Sequence, residues 1–396
     1  MGVEKKFGTF LAPFHATDEN PTVALERDFR LVAHLDALGF DEAWIGEHHS
    51  GGMEIIASPE LFIAAAAVRT RQIRLGTGVV TLPYHNLFFV ADRINQLDHQ
   101  TRGRVMFGVG AGALPYDADM VGIDVSRIRE MMGESLEALI PLLRGETVTA
   151  NSDWFELREA RLQLAPFSRP HVEMAIPSVV SPSGPRTAGR YGMGLLSTAA
   201  TTQAAFDALP DTWEICETQA AAHGQRVSRE TWRLVGPVHI AETREKAYEN
   251  VRFGIQKWLH YFAYVGHLPL AATGEGSIDS DINALQEAGI AVIGTPDDLV
   301  KKIEQLEKQS GGFGVFLDMA HNWADFEQTM RSYELIARYV MPHFQGHADR
   351  QGEAYRWAMA KKPELLERRQ KGIDRAIQQH TAERNAKRSQ SSDPTA

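Results

Sequence analysis

One cysteine, Cys216, stands among 396 residues. A lone thiol excludes an internal disulfide framework and any metal site built from cysteines. No run of 18 apolar residues occurs, so no stretch reads as a membrane-spanning helix. The opening MGVEKKFGTF lacks the apolar core of a secretory signal, and a cytoplasmic, reducing compartment is expected. Positive charge is scarce: 41 Lys and Arg stand against 51 Asp and Glu, a formal net charge of −10. Such a chain is ill suited to wrapping a phosphate backbone, so neither nucleic acid nor membrane is an expected partner. Hydrophobic residues make up 43% and charged residues 23%. These are ordinary values for a globular chain and exclude a wholly disordered or collagen-like one.

What is present is an alternation. Short apolar, glycine-bounded runs read as strands at 7–14, 40–49, 73–80, 105–112, 172–177, 194–198, 231–241 and 313–319. Helical periodicity fills the gaps, with Pro21 and Ser58-Pro59 at helix starts and Gly39 at a helix end. Eight strands alternating with helices predict an α/β fold with a parallel sheet. Eight units over about 340 residues favour a (β/α)₈ TIM barrel, with a doubly wound sheet as the other solution. The excess length falls in insertions after strand 4 (about 144–170) and strand 7 (about 266–289, read as structureless). A C-terminal tail carries the rest. The expected division is a barrel over 1–344 and a basic tail over 345–396, helical with a break at Pro363 and then disordered. From Gly346 the tail has 11 Lys and Arg against 7 Asp and Glu, on a body near −14.

In a parallel barrel the chemistry lies at the C-terminal strand ends. Glu47-His48-His49 is the densest polar cluster there. Alternation along a strand puts Trp44, Gly46 and His48 on one face and Glu47 and His49 on the other. The three therefore do not aim into one site, and no metal centre is expected. One histidine serving as acid or base and two structural histidines are both open readings. Gly108-x-Gly110-x-x-Ala113 loosely matches a dinucleotide fingerprint, but the next helical pattern begins only near Ser126. The glycines at 76, 78, 108 and 110 suggest instead that a planar ligand approaches the backbone, with tight barrel packing as the other explanation. Residues 178–187 (SVVSPSGPRT) form a Ser/Gly/Pro-rich loop opening a helix, where backbone N–H groups, Ser181, Ser183 and Arg186 suit a phosphate. An ordinary capped helix is equally compatible. Of Arg127 and Arg129, two apart at the start of helix 4, one at most points inward. The aromatic run Trp258, Tyr261, Phe262 and Tyr264 suits a pocket wall or simply core.

Four stretches together resemble the bacterial luciferase-like, flavin-dependent monooxygenase family: FGTFLAPF, LGFDEAWIGEHH, IRLGTGVVTLPYHNLFFVADRINQLDHQTRGRVMFGVGAG, and GTPDDLVKKIEQL with YVMPHF. The resemblance runs over about residues 6–344, and the segment HNWADFEQTMRSYELIARYVMPHFQG looks most like the limonene-monooxygenase branch. It implies a TIM barrel, reduced FMN as co-substrate from a separate flavin reductase, and O2 activated as a C4a-hydroperoxide. One oxygen atom would pass to a small apolar substrate such as a terpene, cyclic ketone or hydrocarbon. It also implies a homodimer. Residue by residue, His48 matches the catalytic histidine, Gly78 and Val79 the non-proline cis peptide beneath the flavin, and Gly110 the position of a reactive cysteine beside it. Arg129 matches a phosphate-binding arginine, and Ser181, Ser183 and Gly184 the phosphate loop. Ala111 stands where luciferases carry another phosphate arginine, so the phosphate contacts differ, and nothing favours light emission. Two other activities fit the same fold: an F420-dependent oxidoreductase, and a non-catalytic flavin-binding subunit.

Overall fold

Strand β1 (Lys6–Leu11) pairs in parallel with two strands far apart in sequence, β2 (Glu42–Ile45) and the last strand of the fold, and that double pairing closes a barrel. The structure, a computed structural model, describes residues 4–11, 14–266, 268 and 270–390. Chain order continues through β3 (Arg74–Thr81) and β4 (Val105–Gly110), then a hairpin of β5 (Val148–Asn151) and β6 (Glu156–Ala160). Next come β7 (Met174–Ser178), β8 (Gly194–Ser197), β9 (Trp232–Gly236), β10 (Val238–Ile240), β11 (Val292–Gly294) and β12 (Val315–Met319). The barrel order is β1-β12-β9-β8-β7-β4-β3-β2, so the expected fold class holds. Its strands are buried along almost their whole length, as parallel strands covered by helices must be.

Helices follow the strands: α1 (Pro21–Leu38), α2 (Pro59–Ala67), α3 (Leu87–Thr101), α4 (Pro115–Met120), α5 (Ile128–Leu143), α6 (Ser183–Tyr191), α7 (Gln203–Asp207) and α8 (Leu209–Ala222). Then come α9 (Arg244–Val251), α10 (Ile255–Tyr261), α11 (Ile278–Glu287), α12 (Pro296–Ser310), α13 (Phe326–Leu335) and α14 (Met341–Gln345). Their starts are written in the sequence. Asn20, Ser58 and Asn86 accept from first-turn N–H groups, and Thr295 with Asp298 forms a capping box before Pro296. Cys216 lies buried in α8.

The barrel floor is polar and closed. Arg233 of β9 reaches Glu42 and Glu173, and its guanidinium lies 4.8 Å from the indole of Trp44. A methyl at Gly76 would lie 2.5 Å from Trp44, and one at Gly108 would lie 2.1 Å from the Thr77 carbonyl oxygen. These two glycines therefore admit a tryptophan and a neighbouring strand rather than a ligand.

Four expectations need correction. The seventh strand breaks at Pro237, which lacks the N–H to continue a ladder; β10 leaves the barrel to pair with β11. The second insertion is not structureless, since α11 lies in it, capped by Ser277. A helix, α4, opens at Pro115, where a loop was expected. The tail is one helix, α15 (Asp349–Gln390), running through Pro363 and through 385–390, where disorder was expected. Residues of high helical propensity and the lack of glycine after Gly372 account for the continuation. Ala12 and Pro13 of the first strand, His267 and Pro269, and the final six residues lie outside the described residues. Contacts group the chain into two units, Met1–Gln345 and Gly346–Ala396. Among the described residues no helix is long and apolar enough to cross a membrane.

Candidate active site

The end of β2 supplies the centre. Beyond Ile45 the chain stays extended, and successive side chains still diverge. Glu47 turns toward β3: its Oε2 accepts from the Thr81 N–H at 2.9 Å, and its Oε1 from His49 Nε2 at 2.9 Å and His85 Nε2 at 2.7 Å. Burial pushes this carboxyl up, but the hydrogen bonds from both histidines and from Thr81 outweigh it and hold the group below its usual range. Glu47, His49 and His85 offer ligand atoms within 4.8 Å of one another; His85, beyond the third strand, carries no sequence signal linking it to Glu47. Both Glu47 oxygens are already taken by the Thr81 N–H and the two imidazoles, so the trio reads as a brace between β2 and β3.

His48 faces the other way. Its Nδ1 lies 3.3 Å from Asp117 Oδ2 and its Nε2 lies 3.4 Å from Glu54 Oε2. Asp117 sits on α4, the helix unforeseen in the sequence, and is held by the Ser50 hydroxyl and by the His49 N–H at 3.1 Å. Burial alone would pull the His48 imidazole down, yet Glu54, Asp117 and, more weakly, Glu47 hold it above the ordinary histidine value. Asp117 is lowered in turn: burial raises it, and the bonds from His48 and Ser50 more than offset that.

Strands β3 and β4 carry a wall of small residues. The Gly78–Val79 peptide bond is cis. Val79 and Gly110 touch across β3 and β4, since a methyl at Gly110 would meet the Val79 side chain at 2.6 Å and Pro177 at 3.6 Å. From Pro177 the contact continues to Gly184, where a methyl would lie 2.5 Å from the Pro177 carbonyl. Val79, Gly110 and Gly184 are thus contiguous over the ends of β3, β4 and β7. Among the described residues, the buried hydroxyls of Tyr84, Ser178 and Thr201, at or just beyond strand ends, lack hydrogen-bond partners. Burial, with Asp117 and Glu47 nearby, pushes the Tyr84 phenol up to about 12.

Helix α6 starts after Pro182; the Ser183 N–H donates to the Ser181 hydroxyl at 3.4 Å, Pro185 has no N–H, and the Gly184 N–H is left for a ligand. Ser181 and Ser183 are exposed there, their hydroxyls 3.1 Å apart. Arg127 pairs with Asp153 of the hairpin turn, whereas Arg129 is exposed and its side chain makes no hydrogen bond or ion pair among the described residues, to the α6 loop or elsewhere.

The sequence profile of the luciferase-like monooxygenases matches residues 5–312. The limonene 1,2-monooxygenase of Rhodococcus erythropolis is 48% identical over 340 residues, covering 86% of this chain and 87% of that protein. The 4-hydroxyprotoasukamycin monooxygenase of Streptomyces nodosus subsp. asukaensis is 42% identical over 355 residues, covering 89% and 95%. Among solved structures, a type II Baeyer–Villiger monooxygenase is similar: the oxygenating constituent of 3,6-diketocamphane monooxygenase from Pseudomonas putida, in complex with FMN. Its TM-score is 0.71 at 25% identity, covering 85% of this chain and 98% of that one.

Proposed function

The chain belongs to the luciferase-like monooxygenase family, and on that premise we propose that it is the oxygenating component of a two-component, flavin-dependent system. It takes reduced FMN from a separate reductase and, with O2, inserts one oxygen atom into a small apolar compound of terpene or cyclic-ketone type. The observation that carries this reading is His48, held between two carboxylates just beyond β2, whose barrel neighbour β3 carries the cis Gly78–Val79 peptide.

The residues present fit FMN. The cis Gly78–Val79 peptide and Gly110 form a closely packed wall, with Phe10, Trp44 and Val79 filling the space beside the glycines, and a flat ring can lie against its face. Ser178 and Thr201 hold buried hydroxyls unpaired, which suits the polar edge of such a ring. The start of α6, with Ser181, Ser183 and Gly184, suits a phosphate, and Arg129 adds an exposed cation. When bound, reduced FMN supplies the activation of O2 that no side chain here can provide.

His48 handles the proton. Asp117 fixes its Nδ1 side, and Nε2, 3.4 Å from Glu54 Oε2, exchanges its proton between that carboxylate's hold and the reacting oxygen. Buried Tyr261 reaches the loop after His48 at Glu54, and Phe262 and Trp258 pack in turn behind it; this apolar group helps exclude water, which otherwise diverts reactive oxygen to peroxide. A homodimer is proposed on exposed Leu61, Val68 and Phe89 at α2 and α3. Sedimentation at micromolar concentration tests it, and a monomer there counts against it.

Turnover of monoterpenes and cyclic ketones with isotope-labelled O2, reduced FMN and a reductase tests the activity. Products carrying one labelled oxygen are expected. Absence of label together with turnover of reduced F420 overturns the reading.

A further inference from the structure

Asp117 explains one side of His48; Glu54 on the other side is a separate matter. Glu54 lies in the loop that folds back after β2, tied by an isolated bridge to Phe14 and by the His48 N–H donating to the Ile56 carbonyl at 3.2 Å. Its carboxylate is buried, and one oxygen serves two groups. Glu54 Oε2 accepts from the Tyr261 hydroxyl in a short hydrogen bond and stands 3.4 Å from His48 Nε2. Tyr261 is the last residue of α10, directly before the π-helical turn Phe262–Gly266. Its ring meets Phe14 edge-on at 5.9 Å and Phe262 at 5.0 Å, and a methyl at Gly51 would come within 3.2 Å of its hydroxyl. Packing on three sides therefore fixes where that hydroxyl points.

We propose that Glu54 and Tyr261 are positioning residues that set the proton affinity of His48 in opposite directions, through the one carboxylate oxygen they share. The physical reason is competition. Glu54 favours the imidazolium by placing negative charge beside Nε2. Tyr261 donates to that same oxygen and drains charge from it, which weakens its hold on the His48 proton. The remaining charged or titratable groups facing His48 are Asp117 on α4 and its neighbours Glu47 and His49. Glu47 is neutralised in part by His49 and His85, and Asp117 is occupied by Ser50. That leaves Glu54 as the carboxylate whose strength one removable hydroxyl can tune. The Tyr261 phenol is pushed well above its ordinary value, by burial first and then by Glu54, so it remains a donor throughout the working range. With Tyr261 in place His48 gives up its proton more readily, as delivery to a reacting oxygen requires.

This inference rests on the proposed role of His48 in proton transfer, and the test reads His48 directly. Histidine side-chain NMR titration of the flavin-free protein, with the His48 signal assigned from a His48→Gln spectrum, gives its pKa in each variant. Glu54→Gln is expected to lower it by about one unit, and Tyr261→Phe, which keeps the ring packing, to raise it by about half a unit. The pH limit of product formation should move the same way in each. Shifts of the same sign in both variants, or no shift in Tyr261→Phe, overturn the proposal; the latter variant decides if Glu54→Gln does not fold. Opposite shifts in a protein that incorporates no oxygen uphold the coupling and remove the oxygenase reading. Normal oxygenation with unmoved titrations does the reverse.

Discussion

Arg233 grips Glu42 with a fork: Nε and Nη2 each donate to a different carboxylate oxygen at 2.9 Å, while the Trp44 indole N–H donates to the same carboxylate at 2.8 Å. Nη2 also reaches Glu173 at 2.6 Å. Burial works against the charge on Arg233, but the two carboxylates hold it more firmly ionised than usual, and Glu173 falls to about 2. Arg233→Met strands Glu42 at the barrel floor. A loss of about 3–5 kcal/mol in denaturant unfolding is expected. A loss within 1 kcal/mol would show that the network relaxes around the vacancy.

Gly76→Ala puts a methyl 2.5 Å from Trp44 in a floor that cannot give. Overpacking of this kind costs roughly 1–3 kcal/mol. Shrinking the neighbour should recover part of it, so Gly76→Ala with Trp44→Phe is expected to lose less than the sum of the single changes. Strict additivity would mean that the two side chains do not meet.

His48→Ala should keep FMN binding, since the proposed flavin wall and phosphate loop are separate residues. Product formation falls by about 10²–10⁴, the range for a general acid or base, and hydrogen peroxide rises. The check is the ratio of product to peroxide. An unchanged ratio assigns the proton step to another group.

Arg129→Ala is expected to weaken reduced FMN by about tenfold or more while leaving reduced riboflavin almost unaffected, because a charge-assisted bond to phosphate is lost only in the first. Anaerobic titration of both flavins measures this. Equal losses rule out a phosphate contact.

His321 is built to stay neutral. Its Nε2 meets the Val238 carbonyl at 2.9 Å, so that nitrogen donates, and its Nδ1 accepts from the Trp323 N–H at 3.3 Å. Burial, then His239, depresses it to about 3. A histidine depressed on folding binds protons sooner when unfolded. Its contribution is complete above the ordinary value near 6.5 and drains away as pH falls toward about 3. Asp318, raised by burial to about 8, works in the opposite sense, so the informative quantity is a difference. Between pH 6 and 4, the stability of the wild type minus that of His321→Leu should fall by up to about 1.4 kcal/mol per unit. A pH-independent difference in chemical denaturation would refute this.

The barrel was legible because its signals are local. Strand runs, helix caps and the prolines and glycines that bound them lie within a few residues of one another, and the alternation of Glu47 with His48 follows from backbone geometry alone. What misled was also local. Pro237 splits a strand that hydrophobicity alone joins, and Pro115 opens a helix that glycine-rich surroundings disguise. Gly76 and Gly108 looked like ligand cradles because a sequence does not say that Trp44 fills the space.

His48 could be singled out from the chain; its surroundings could not. Asp117 lies 69 residues away and Tyr261 lies 207 residues from Glu54, and neither spacing carries any signal. The amino-acid order determined the eight barrel strands, the barrel class and the histidine at the mouth, since periodicity and capping act over one or two turns. Only the tertiary fold decided that Asp117 meets that histidine and that the Tyr261 phenol tempers Glu54. Those contacts join elements that the fold makes neighbours and the chain does not.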